Sequence, residues 1–419
     1  MGRIRHHTLT DKTNSMTDRP DTTEAVERTP GTANTSDRPD APAPSPARPP
    51  FWRRLLRRDA GFGVLVLVAL LVTVLVISRL PSASTPSPTT TPQTGGTATP
   101  AAQSGAIVQR ANAQIIPMPT SRAGLMQPAV DAQGNIWVGE MVTNQLARID
   151  PKTGQVTEWT PPGGKYNIMA TAMDRQGDVW FTEQAANYIG RFDPTTQTFQ
   201  TYPLDTAIAP RMAPQDLAFD ANGQLWFTLL GGRIGRLDPA TGAMQSWQIP
   251  APQGATRSYP FSLAITARGI WFGYLNGGAV GKLDPTTGKV TLMPLANRQA
   301  AVYAMAADPS GRIWFTEMQP AILGSIDPAT GKVTERTVPH SAGDPSILYG
   351  LATTGDGSVW FASAGANAVV HYQASDDLYT FYTLPATQSI PFGMALGHNG
   401  ALWISGDGAD DNYVARLIT

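Results

Sequence analysis

The residues of this sequence best suited to chemistry recur at fixed offsets from a repeated tryptophan. Glu140, Glu183 and Glu317 each stand three residues after a tryptophan. A carboxyl group buried beside apolar side chains has a raised pKa and can act as a general base. Arg122, Lys165 and Arg211 each stand fifteen residues before a tryptophan; Arg257 is equivalent in a repeat one residue shorter, and Arg298 is one position off. Five cations in an arc would focus a positive potential suited to phosphate or carboxylate groups. Phe261, Tyr303, Tyr349 and Phe392 share a third column and would add an aromatic rim opposite the arc. The stretch GDGADDNY offers Asp407, Asp410 and Asp411 as oxygen ligands for a cation, without the spacing or distal glutamate of an EF-hand loop. Each column also has a plain structural reading. Loop cations are solvated and multiply when a repeat is duplicated, and the glutamates would bond neighbouring loop amides.

The elements that must position these residues follow from the repeat. The marker is Gly-x-Φ-Trp followed by Phe, Val or Ile, with Φ apolar. Its tryptophans are Trp137, Trp180, Trp226, Trp271, Trp314, Trp360 and Trp403, spaced 43 to 46 residues apart. Short strand-like runs at such a period predict an all-β, seven-bladed β-propeller with four strands per blade. In each unit an apolar strand leads through a glycine turn to the tryptophan strand. A third strand ends at an Asp-Pro turn such as DPKTG (150–154) or DPATG (238–242), and a polar strand follows. An alanine column, Ala129, Ala172, Ala218, Ala264, Ala306, Ala352 and Ala395, marks the innermost strand, where radial sheets crowd at the axis. The last unit stops after its third strand, YVARLIT. Residues 106–119, AIVQRANAQIIPMP, are therefore predicted to supply the outer strand of blade 7 and close the ring.

Composition sets the rest. With 31 Lys+Arg against 32 Asp+Glu, the chain has no bulk charge for nucleic-acid binding. The absence of cysteine excludes disulfides, thiolate metal sites and a cysteine nucleophile. No phosphate-cradling glycine loop, Ser-His-Asp arrangement or zinc signature is present. Residues 1–50, rich in Thr, Asp, Pro and Arg, read as a disordered cytoplasmic tail. Residues 51–80 hold FWRRLLRR and then 19 uncharged residues, 60–78, close to the roughly 20 that span a bilayer core. Arg53, Arg54, Arg57 and Arg58 precede the run and only Arg79 follows it closely. The positive-inside rule then predicts a single-pass signal anchor with everything beyond it outside the cytoplasm. Residues 81–106, uncharged with five prolines, read as a linker, and 107–419 as the propeller.

The blade units WFTEQAANYIGRFDPTTQ and LWFTLLGGRIGRLDPATG resemble those of the virginiamycin B lyase (streptogramin lyase) family, over roughly 310 residues. The resemblance implies the propeller, lyase opening of the ester-linked ring of streptogramin B antibiotics, and a bound Mg²⁺. It also implies a histidine at the head of an inner strand and a Glu-x-His after a Trp-Phe strand. The first position here holds Met126, Met169, Gln215, Phe261, Tyr303, Tyr349 and Phe392. Two residues after the glutamates stand Val142, Ala185 and Gln319. The five histidines are His6, His7, His340, His371 and His398, of which only His340 falls near the expected face. The expectation is an extracytoplasmic binding module for a small molecule, an envelope polymer or an envelope protein. The alternative is a Mg-dependent lactone-opening enzyme with glutamate in place of histidine.

Overall fold

The computed structural model describes residues 106–418, apart from 164–166, 206–211, 319, 340–346, 386–388 and 409–411. Seven sheets are present, one for each tryptophan and each with four antiparallel strands, and there is no helix among the described residues. Blade 2 shows the plan: Ile168–Met173 innermost, then Val179–Glu183, Tyr188–Asp193 and Thr198–Pro203. The apolar run 60–78, expected to be a membrane anchor, lies outside the described residues. Among those described, no helix is long and apolar enough to cross a membrane.

The repeated residues explain one another across strands. Every alanine of the column lies opposite its own blade's tryptophan, as in Ala172–Trp180 and Ala352–Trp360. On the other side, the third strand presents Arg148, Arg191, Arg236, Lys282 or Arg416 to the indole, with the cation 5.1–5.9 Å from the ring centre. The arginine of the IGR signature is therefore a cation–π partner in the blade packing. His371 takes this place in blade 6, its ring 4.3 Å from that of Trp360.

Each indole N–H also needs an acceptor, since every one of these tryptophans is buried. Six residues earlier, Asp131, Asp174, Asp220 and Asp308 supply it at 2.8–3.0 Å. The second oxygen of Asp131 accepts the main-chain N–H of Gln133 and Asn135, fixing the turn into the strand. Thr266 substitutes in the shortened blade 4. The Asp-Pro turns are held by local hydrogen bonds. Asp150, Asp193 and Asp284 each accept the amide two residues on; that bond holds the Asp150 carboxyl below the usual range, while the hydroxyls of Thr196 and Thr287, and then these amides, do the same for Asp193 and Asp284.

The glycine of IGR answers the phenylalanine of WF. Gly190, Gly235, Gly281 and Gly324 lie opposite Phe181, Phe227, Phe272 and Phe315. A Cβ on Gly235 would sit 2.1 Å from the Phe227 ring. Gly235→Ala is therefore expected to cost about 3 kcal/mol in urea unfolding, at the upper end for overpacking. Blade 1 accepts Ala147 at the same place because its partner is the smaller Val138.

Closure follows the sequence expectation in part. Strand β2 (Ala113–Pro117) pairs antiparallel with Tyr413–Leu417 and completes blade 7. Strand β1 (Ala106–Arg110) does something else. It runs parallel to Leu378–Thr383 as a fifth strand on blade 6. The segment 106–119 is thus two strands on two blades, turning at Ala111 and Asn112, where Ala111 N–H donates to Thr383 and Ile418 N–H to Asn112.

Candidate functional site

The inner strands are not regular. Blades 2 to 7 each carry a register shift near the strand start, between Ile168 and Thr171, Pro214 and Leu217, Pro260 and Ser262, Val302 and Ala304, Leu348 and Leu351, and Pro391 and Met394. A bulge re-aims the side chains it contains. Those it carries here include Met169, Asp216, Phe261, Tyr303, Tyr349 and Phe392.

Buried hydroxyls hold these bulges. Thr182, Thr228, Thr316 and Ser405, on the tryptophan strands, each accept an N–H from the adjoining bulge: Ala170, Asp216, Ala304 and Gly393. Each then donates to a carbonyl of the next blade: Gln215, Phe261, Tyr349 and Met126, at 2.7–2.9 Å. The threonine of WFTE is therefore an inter-blade staple. Thr228 sets both Asp216 and Phe261.

The bulges line a shallow axial recess of about 60 Å³ that opens to solvent. Met126 and Met169 line it with Phe261, Tyr303 and Phe392, Gln127 and Gln215 add amides, and Met305 borders it from the core between blades 4 and 5. Asp216 contributes a carboxyl group. Its two oxygens accept the N–H of Leu217 at 2.9 Å and of Leu263, on blade 4, at 2.8 Å. Burial pushes this carboxyl up to about 7 against the opposing pull of those amides. Tyr303 beside it is held well above the ordinary phenol value, by burial first and then by Tyr349 and Asp216.

Of the residues singled out from sequence, the aromatic column is the group the structure brings together. Phe261 and Tyr303 are 5.1 Å apart by ring centres, Tyr303 and Tyr349 4.9 Å, and Tyr349 and Phe392 4.6 Å. They form one cluster across blades 4 to 7, with three of the four on the recess wall. Among the cations, Arg122, Arg257 and Arg298 are exposed and none lines the recess. Lys165 and Arg211 lie outside the described residues. So do Asp410 and Asp411, while Asp407 sits in the blade 7 strand opposite Ile390, pushed up to about 6 by burial.

The glutamates are fully buried and do not line the recess. They share the strand face of Val138, Phe181 and Phe315, which packs against the preceding blade. Thr143 donates to one oxygen of Glu140, and the other has no hydrogen-bond partner. Burial, with Glu158 nearby, pushes Glu140 up to about 8; burial with Glu335 does the same to Glu317. The carboxyl beside Tyr303 is Asp216, which sequence reasoning did not single out. The nearest signal was a carboxylate within an inner strand of small and apolar residues. Mg²⁺ takes near-octahedral oxygen ligands. Glu140, Glu183 and Glu317 belong to three different blade interfaces, and no cluster of three His, Asp or Glu occurs among the described residues. These residues do not fit a Mg²⁺ site.

The virginiamycin B lyase family model matches residues 96–229 and 206–417. Among solved structures, a streptogramin B lyase is 24% identical with a TM-score of 0.65, covering 73% of this chain and 97% of its own. A virginiamycin B lyase from Staphylococcus aureus is 24% identical with a TM-score of 0.64, covering 74% and 99%. A catalytically inactive histidine-to-alanine form of the Staphylococcus aureus enzyme, with quinupristin, has the same identity and TM-score and covers 73% and 99%. At this identity the structures establish the fold alone. No match was found among curated proteins. The family match spans the whole ring, and the chain belongs to the virginiamycin B lyase family.

Proposed function

We propose that this chain is a membrane-tethered, extracytoplasmic binding propeller that has kept the family's fold without its histidine chemistry. The observation that carries this reading is what stands at the head of each inner strand: methionine, glutamine or an aromatic residue, never histidine. His340, the histidine expected nearest that face, lies outside the described residues, and the two described histidines serve elsewhere. His371 stacks on Trp360, with burial lowering its imidazole pKa, and His398 lies in an exposed turn. The basic flank, apolar run and proline-rich linker support placing the ring outside the cytoplasmic membrane.

The ligand for the loop face is an anionic envelope polymer or protein, met by the exposed Arg122, Arg257 and Arg298. The test is co-sedimentation of the full chain with a phosphate-bearing cell-wall polymer. Binding is expected to weaken at least tenfold in the R257E/R298E double variant and to fall as salt is raised. Binding that ignores both changes sinks the loop-face assignment.

A second reading is lactone opening with a glutamate as base. The raised carboxyls of Glu140 and Glu317 suit a general base, but both are fully buried in blade interfaces, so this reading also needs an opening that brings one of them to the substrate. On that reading Glu140→Gln or Glu317→Gln abolishes turnover and leaves ligand affinity intact.

A further inference from the structure

The axial recess holds an acid without a base. Asp216 is the one charged side chain on its wall among the described residues. Its hydrogen bonds come from two neutral main-chain amides, and no basic side chain acts on it. Such a carboxyl is ordinarily neutralised by a counter-ion or kept protonated. Asp216 is half-buried on the wall of an open recess, from which a counter-ion could approach it.

The rest of the wall specifies what kind of counter-ion. Phe261, Tyr303 and Phe392 form one aromatic side, and ring faces attract cations. Met126 and Met169 add polarizable, flexible thioethers that suit an alkyl chain. A strongly hydrated metal ion gains little from such walls. A carboxylate or phosphate would meet Asp216 as a like charge. We infer that the recess binds a small organic cation, with an ammonium group at Asp216 and its carbon chain against Phe261, Tyr303 and Met169. Thr228 positions the site, because its hydroxyl accepts the N–H of Asp216 and donates to the carbonyl of Phe261. This inference stands apart from the loop-face reading, whose ligand is anionic and whose residues are the exposed arginines.

Calorimetric titration of the full chain tests it, with three short-chain probes: n-butylammonium, pentan-1-ol and pentanoate. Butylammonium is expected to bind at least tenfold more tightly than the alcohol, and pentanoate not at all. Nα-acetyl-lysine amide distinguishes a free amine from one carried on a peptide: its binding assigns the peptide source and its failure the free amine. Asp216→Asn keeps an acceptor for one of the two amides and removes the charge. It is expected to erase the preference for the cation while thermal melting stays cooperative. Equal binding of butylammonium and pentan-1-ol by the unaltered chain, or a cation preference that survives Asp216→Asn, overturns the inference. The comparison of probes needs no variant, so a misfolded Asp216→Asn leaves it decisive. Phe261→Leu gives a second variant, expected to weaken butylammonium several-fold and the alcohol far less; equal weakening of the two would count against the cation.

Discussion

Ile116→Asp is expected to cost about 4 kcal/mol or more of stability, while Ile107→Asp costs less than about 0.5 kcal/mol. The two isoleucines lie in consecutive strands of the same segment, yet they do different work. Ile116 is on β2, 3% exposed, opposite Val414 and packed with Leu125, Val138 and Trp403 where blade 7 meets blade 1. A carboxylate there has no partner and must ionise or stay protonated in an apolar seam. Ile107 is on β1, 48% exposed on the outside of blade 6. Guanidinium unfolding of both variants checks this. Similar losses for the two would mean that β1, and not β2 alone, locks the ring.

Glu317→Gln is expected to stabilise the protein, by on the order of 3–5 kcal/mol at pH 8 and by nothing measurable at pH 4. The sign follows from the shift. The folded carboxyl titrates at about 8 and the ordinary value is 4.5. Between those values the unfolded chain has released its proton while the folded chain keeps it. Stability therefore falls as pH rises from about 4.5 to about 8 and is level beyond. Glutamine removes that slope. Glu140→Gln is expected to act in the same direction in the interface of blades 7 and 1. The two sites lie in separate interfaces, so the effects should add. Denaturant unfolding at a series of pH values measures both. A slope of opposite sign would mean that the glutamates are ionised in the folded ring and held by a cation.

Much of the fold was legible in the sequence because its determinants are local and repeated. The Gly-x-Φ-Trp marker counted the blades, and the missing fourth strand after YVARLIT pointed to β2. β1 was not legible as a separate strand, since AIVQR carries no turn signal and pairs with residues some 270 positions away. The aspartates that accept the indole N–H stood in plain view, always six before the tryptophan, but only the folded turn shows the bond. Staples such as Thr228 to Phe261 link different blades, and nothing in a single repeat reveals them.

The site was less legible for a related reason. Sequence columns align residues by their distance from the tryptophan, and bulges break the alternation that says where a side chain faces. The aromatic column survived this because the bulge recurs in the same place in each blade. Glu140, Glu183 and Glu317 share a column too, but the regular strand turns them into blade interfaces. Asp216 has no counterpart in the other repeats, where Gln127, Ala170, Ser262, Ala304, Gly350 and Gly393 take its place. The carboxyl that the bulge turned toward the axis thus stood outside every column.

We propose that the ring keeps the family's architecture without its histidine chemistry. Incubating the full chain with a streptogramin B lactone and Mg²⁺, and following the linear product by mass spectrometry, tests it most directly. No product above the rate without protein is the predicted result. Turnover that disappears in Glu140→Gln or Glu317→Gln would contradict the account and establish a lyase working without histidine.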